Sequence, residues 1–439
     1  MNIIRTATLL LDFSKKFQTI DGFGLNINSK YWNSGELKPV VDFLIDDLGA
    51  TLFRLDHYGR ANWMDPDNSR DASVLSRPVY DEIYQTPDFQ NALAMSLYLN
   101  TKGIEPYITV SGIAPAWMCS EDGKSLKEFD LYAEMTVDYI HWLRRNGVKF
   151  TLFGPLNETD FGPPEGPSVH PEAYRFACKA ILKKLDERGM QDVRLVVAEQ
   201  GAYNLDYVKV LLEDNSLRDR IGVIGMHAYS DFHVQDLLNF AEKKDPTIRC
   251  WMTEFGDLSQ SIEREEQIAW VCAERLFRLL SDGMHGALLW DAFDNYHDHD
   301  ETWTTFGIIK NAWDTYFPKK RYYALKHIFR FVRPGFKRIA VQSTMPEIQV
   351  LAFSDDRVGS VTVVGMNPCN EGVYMDLDLG LYGKGDSLQY LNYDVYRTNT
   401  FEDCAKVTSP VIKILDHSKK GFEFTVLPHS IFTVTNVQL

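Results

Sequence analysis

Apolar positions in the first three-quarters of the chain recur in one order: a helical stripe, a glycine, then a short hydrophobic run. Leu37, Val40, Val41, Leu44, Ile45 and Leu48 keep the spacing of one helix face, Gly49 follows, and Thr51-Leu52-Phe53-Arg54-Leu55 comes next. The same order places Gly103 before the run 106–110, Gly147 before 150–153 and Gly189 before 193–197. Gly222 precedes 223–226, and Gly283 precedes 287–290. Glycine takes the left-handed conformation that closes a helix, so each of these marks a helix end and a strand start. The runs 22–27 and 250–254 complete the series, giving eight strands with helices between them.

Strands that alternate with helices pair in parallel, and eight such units predict an α/β fold of the closed (β/α)8 barrel type. An open doubly wound sheet is the alternative, but no GxGxxG follows the first run to cradle a phosphate. The pattern changes after Phe331-Val332-Arg333-Pro334-Gly335. Short alternating runs follow at 361–364, 390–393, 422–426 and 431–434, which read as antiparallel strands of an attached C-terminal β-sandwich. The early run 8–13 is expected to join it. The division is therefore 1–18 with the sandwich, 19–333 as the barrel and 334–439 as the sandwich proper.

With 439 residues there is room for a barrel of about 250 residues or more and a smaller module. A net charge of −15 disfavours nucleic acid or an anionic membrane as partner. The six cysteines are scattered with no close pair, and they read as reduced core thiols rather than a disulfide or zinc framework. The N-terminal run meets Asp12 too soon for a secretory signal, and no run approaches the length of a membrane span. The expectation is a cytoplasmic protein, or a secreted one in its mature form.

Two apolar runs end in glutamate: Phe150 to Phe153 leading through Gly154-Pro155-Leu156-Asn157 to Glu158, and Trp251-Met252-Thr253 to Glu254. In a barrel, side chains at C-terminal strand ends face the active site. For any two glutamates taken at random, surface carboxylates would be the better reading. These two follow buried strands, and two carboxyls converging on one pocket suit hydrolysis of a glycosidic bond.

Asn157-Glu158 on the fourth strand, His227-Ala228-Tyr229 on the sixth, Glu254 on the seventh and Trp290 on the eighth resemble clan A of the glycoside hydrolases. Within it, Asp21-Gly22-Phe23-Gly24, Pro115-Ala116-Trp117-Met118, Phe331 to Gly335 and Leu427-Pro428-His429-Ser430-Ile431 resemble family 30, over nearly the whole chain. The resemblance implies a retaining double displacement with Glu254 as nucleophile and Glu158 as acid and then base. Ionised Glu254 would disfavour ionisation of Glu158 and keep an acid protonated near neutral pH. It also implies that Asn157 bonds the sugar 2-hydroxyl, Tyr229 holds Glu254, Arg54 pairs with Glu254 and Trp290 floors the sugar site. Trp117 and His227 would line the rim. The bland readings are a turn-former for Asn157 and core packing for the aromatic groups. Trp63 and Tyr58 are candidate sugar-stacking platforms.

The run His297-Asp298-His299-Asp300 lacks a metal-ligand geometry, and no metal or cofactor is expected. The substrate is expected to be an oligosaccharide or glycoside: β-glucosides, β-1,6-galactans or glucans, or xylan-type chains. The alternatives are a non-catalytic carbohydrate-binding barrel, a transglycosylase using the same intermediate, and a barrel lyase or isomerase. A lyase or isomerase would need a metal-carboxylate cluster or Schiff-base lysine, and neither is evident. Long segments after strands two, three and eight incline the reading towards a terminal-acting enzyme. The segment Asp160-Phe161-Gly162-Pro163-Pro164-Glu165-Gly166-Pro167 has no assigned role.

Overall fold

The computed structural model describes residues 5–56, 60–230, 233–297, 302–311, 315–379, 393–407, 411–416 and 419–438. Strand β1 (Arg5–Thr19) opens the chain and leads into eight barrel strands. These are β2 (Gly22–Asn28), β3 (Leu52–Asp56), β4 (Tyr107–Thr109), β5 (Leu152–Gly154), β6 (Arg194–Gln200), β7 (Ile221–Ala228), β8 (Arg249–Phe255) and β9 (Gly286–Leu289). They pair in parallel in chain order, and β9 returns to β2 to close the barrel.

Helices on the outside and side chains within cover both faces of each strand, which is why the strands read as unbroken apolar runs. All seven residues of β2 are buried. Helix Pro171–Glu187 begins on a proline and buries Tyr174, Ala177, Cys178, Ile181, Leu182 and Leu185, the stripe expected from their spacing. Gly49 closes the helical segment before β3 at φ 86°, its N–H donating to the Leu44 carbonyl. A Cβ there would lie 2.7 Å from the Arg330 backbone, so both the turn and the packing require glycine.

The second layer is a ten-stranded sheet around its own core, which includes Leu9, Ile339, Val363, Met375, Phe424 and Phe432. It is mixed rather than wholly antiparallel. β1 runs antiparallel to Lys337–Ser343 on one side but parallel to Val373–Asp378 on the other. The barrel separates β1 from its partners in sequence, so no hairpin dictates their direction. Of the strand expected at 390–393, only Tyr393 is among the described residues.

Helix Lys320–Phe329 couples the two layers. Its buried His327 reaches Thr433 Oγ1 at 2.8 Å through Nδ1 and Thr398 Oγ1 at 2.9 Å through Nε2. All six cysteines are free; Cys178, Cys250, Cys272 and Cys404 are buried, while Cys119 and Cys369 are half-buried and packed against the margins of the two cores. Among the described residues no helix is long and apolar enough to cross a membrane.

Candidate active site

The site forms at the C-terminal ends of the barrel strands. Glu254 is the sixth residue of β8 and is buried inside the barrel mouth. The register between β7 and β8 slips at this point, so Glu254 stands opposite His227. Glu158 lies four residues past the end of β5, where its N–H donates to the Glu199 carbonyl at 2.9 Å. It is buried too, with φ 41°. Ligand-capable atoms of Glu158, His227 and Glu254 all lie within 4.8 Å of one another, which puts the two carboxyls across a narrow gap.

Arg54, on β3, is fully buried and holds three partners at once. Nη1 donates to Glu254 Oε1 at 2.6 Å and to Asn26 Oδ1 at 2.8 Å, and Nη2 donates to Asn157 Oδ1 at 2.7 Å. A guanidinium in this setting is stable only because carboxylates surround it. Burial favours its loss of charge, but Glu199 and Glu254 outweigh burial and hold its proton affinity well above the ordinary arginine value. Tyr229 donates to the second oxygen of Glu254 at 2.5 Å. Both oxygens of that carboxylate are thereby fixed in direction.

His227 departs from expectation. It does not line the rim but is fully buried between the two glutamates. Its Nδ1 lies 2.6 Å from Glu158 Oε1 and 3.4 Å from Glu254 Oε2. It sits inside because β7 carries it on the inward face, eight residues of continuous strand leading up to the pocket. Burial opposes its charge, but Glu254 and then Glu158 prevail and push its pKa up to about 10. For Glu254, burial raises the proton affinity; His227 and Arg54 pull it down, repulsion from Glu158 adds to the rise, and the net shift is upward.

Asn157 uses its amide within the protein, accepting from Arg54 and donating to the Glu165 carbonyl at 3.1 Å. Trp290 follows β9 directly, half-buried, with its N–H on the Phe255 carbonyl at 2.9 Å. Trp117 packs against the barrel core and donates its indole N–H to Asp65 at 3.1 Å, tying the segments after β4 and β3 together. Trp63 is a core residue, edge-on to Phe89 and Tyr139, and not a sugar platform. It faces inward because that stretch folds back onto helix Phe129–Arg145. Tyr58 and Asp298 to Asp300 lie outside the described residues.

Three contributors were missed from sequence. Asn26 on β2 receives Arg54 and donates to the Thr253 carbonyl at 3.0 Å. Glu165 is half-buried, and burial, reinforced by Glu158 and Glu254, pushes its pKa up to about 7. Glu199 ends the run Leu195-Val196-Val197-Ala198, the same signal that marked Glu158 and Glu254. Carboxylates and an imidazole are donors a divalent cation accepts. Here, however, both oxygens of Glu254 are already engaged within the protein, by Arg54 at 2.6 Å and Tyr229 at 2.5 Å.

No protein-family model matches the chain. The glucuronoxylanase XynC of Bacillus subtilis is 24% identical over 251 residues, 56% of this chain and about half (54%) of that relative's length. Putative glucosylceramidase 1 of Caenorhabditis elegans is 22% identical over 427 residues, 82% of this chain and 76% of that relative. A GH30 endoxylanase from Clostridium papyrosolvens superposes with a TM-score of 0.72 at 19% identity, over 98% of this chain and 99% of its own. In sequence and fold this chain resembles glycoside hydrolase family 30. The family 30 likeness extends over both the barrel and the sheet, since the superposition spans almost the whole of each chain.

Proposed function

We propose that this protein is a retaining β-glycoside hydrolase that works by double displacement. The observation that carries the reading is the separation of the two carboxyls, with nearest oxygens within 4.8 Å. Retaining glycosidases hold their carboxyls about 5–5.5 Å apart, whereas inverting ones need about 6.5–9.5 Å to admit a water. Glu254, aimed by Arg54 and Tyr229, attacks the anomeric carbon while Glu158 passes its proton to the departing oxygen. The glycosyl ester neutralises Glu254, and Glu158, now ionised, takes a proton from the incoming water. His227 Nδ1 lies 2.6 Å from Glu158 Oε1 and 3.4 Å from Glu254 Oε2, so its charge faces whichever carboxyl is ionised.

In this reading Trp290 floors the sugar site and Asn157 approaches the 2-hydroxyl. The relatives named for xylan and glucosylceramide point to β-glucosides or xylan-type chains, and β-1,6-linked glucans or galactans remain candidates on the family likeness. The test is turnover of a panel of nitrophenyl β-glycosides, with the first-formed anomer read by NMR. The expected product retains the β configuration. Glu254→Ala should abolish turnover, and Glu158→Ala should slow it about 10²–10⁴-fold. An α-anomer as first product, or an active Glu254→Ala variant, would overturn the proposal.

A further inference from the structure

Glu199 is a buried carboxylate that the double displacement leaves without a task. It is the extra residue where β6 bulges against β7, since Ala198 pairs with Gly225 and Gln200 with Met226. Ala198 and Glu199 take φ values of 77° and 45°, a left-handed conformation that disfavours residues other than glycine. That strain turns the side chain into a space kept open by two glycines. A Cβ at Gly154 would lie 2.6 Å from Glu199 Oε2, and one at Gly225 would lie 2.8 Å from its Cγ.

From there Glu199 Oε1 faces the rear of both cations of the site. It lies 3.3 Å from Arg54 Nε and 3.9 Å from His227 Nε2. The fronts of the same two groups face the reacting pair, Arg54 on Glu254 at 2.6 Å and His227 on Glu158 at 2.6 Å. Tyr107 stands beside Glu199 on β4, and Tyr174 accepts the Ala198 N–H at 3.1 Å from the helix behind. Asp56 acts on Arg54 from the end of β3, and Glu165 acts on His227 from the pocket side.

We propose that Glu199 is a positioning residue whose negative charge, set behind Arg54 and His227, keeps the His227 imidazole cationic through both halves of the reaction. The proposal rests on the double displacement above. Before attack, Glu254 and Glu199 are ionised and Arg54 and His227 cationic, with Glu158 protonated. When the bond from Glu254 to the anomeric carbon forms and the bond to the leaving oxygen breaks, the proton of Glu158 leaves with that oxygen. Glu254 is then a neutral ester and Glu158 carries the charge, so the count of charges is unchanged. Attack by water returns a proton to Glu158 and an ionised carboxylate to Glu254. Without Glu199 one of the carboxylates facing His227 is gone, and the imidazole would shed its proton more readily. The upward shift of His227 and the downward shift of Glu199, where Arg54 and His227 overcome burial, both favour the charged form.

The test compares Glu199→Gln with Glu199→Asp in pH profiles of kcat/KM, alongside 15N NMR of the His227 imidazole. The alkaline limb should move to lower pH by about one unit or more in the Gln variant and stay in place in the Asp variant, whatever happens to the rate. The imidazole of the wild type should hold both ring protons from about pH 6.5 to 9. Unmoved limbs in Glu199→Gln, or an equal shift in Glu199→Asp, would assign Glu199 to packing alone. If Glu199→Gln does not fold, the wild-type NMR decides, and a His227 that titrates near its ordinary value refutes the proposal. Because the NMR needs no substrate, its outcome is separate from failure of the glycosidase reading.

Discussion

At the scale of single residues, the site is built on contacts that fix charge as well as position. Each oxygen of Glu254 has one protein donor, Arg54 or Tyr229, and hydrogen bonds to a charged group contribute about 1.5–3 kcal/mol. Tyr229→Phe should therefore lower kcat/KM by roughly 10–100-fold, and steady-state kinetics with Tm as a control will show it. It should also shift the acid limb upward, because the phenol favours the ionised form of Glu254. A variant with unchanged kinetics would mean that Tyr229 only packs. The glutamates themselves were legible in the sequence, since each ends an apolar run where a barrel strand opens into its loop. The place of His227 was not. Its position between the carboxyls depends on the slip between β7 and β8, which brings it opposite Glu254 and leaves no trace in hydrophobic periodicity. Glu199 was missed for a different reason: it carried the same strand-end signal, but two carboxylates already satisfied the chemistry being sought.

At the scale of elements, helix Lys320–Phe329 matters because it joins barrel to sheet through a histidine that must stay neutral. Burial holds the His327 pKa down to about 3, against an ordinary value of 6.5. A group that is neutral in the fold and takes a proton on unfolding supports stability above pH 6.5, and this support is lost as pH falls towards 3. Thermal melts should show wild-type Tm dropping faster with acidification than that of His327→Gln, while at pH 7 the variant is the less stable. Parallel acid slopes would contradict a neutral buried imidazole. The barrel strands and helices were readable because burial on both faces and a closing glycine leave strong periodic marks, as around Gly49. The sheet was read less well. The parallel pairing of β1 with Val373–Asp378 joins segments remote in sequence, and nothing local records it.

At the scale of the whole molecule, the chain begins in the sheet, builds the barrel and returns to complete the sheet. β1 lies between Lys337–Ser343 and Val373–Asp378, so it is an interior strand and not an ornament. Removing residues 1–18 would expose two inner strand edges and uncover apolar side chains of the sheet core such as Ile339, Met375 and Leu377. Such a truncation should aggregate or melt at markedly lower temperature, as size-exclusion chromatography and calorimetry would record. A monomeric, equally stable product would show that the sheet closes without β1. Trp117, after β4, is tied to Asp65, after β3. The sequence expectation of a terminal-acting enzyme predicts trimming of a polymeric substrate from its ends, and mid-chain scission would contradict it.

The central claim is that Glu254 attacks the sugar while Glu158 stands across a gap shorter than the roughly 6.5–9.5 Å of an inverting pair. The direct measurement is mass spectrometry of the protein after reaction with activated 2-deoxy-2-fluoro β-glycosides, followed by mapping of the labelled peptide. The account predicts one sugar per chain, bound as an ester to Glu254. An adduct on another residue, or turnover of the matching substrate with inversion and no adduct, would contradict it.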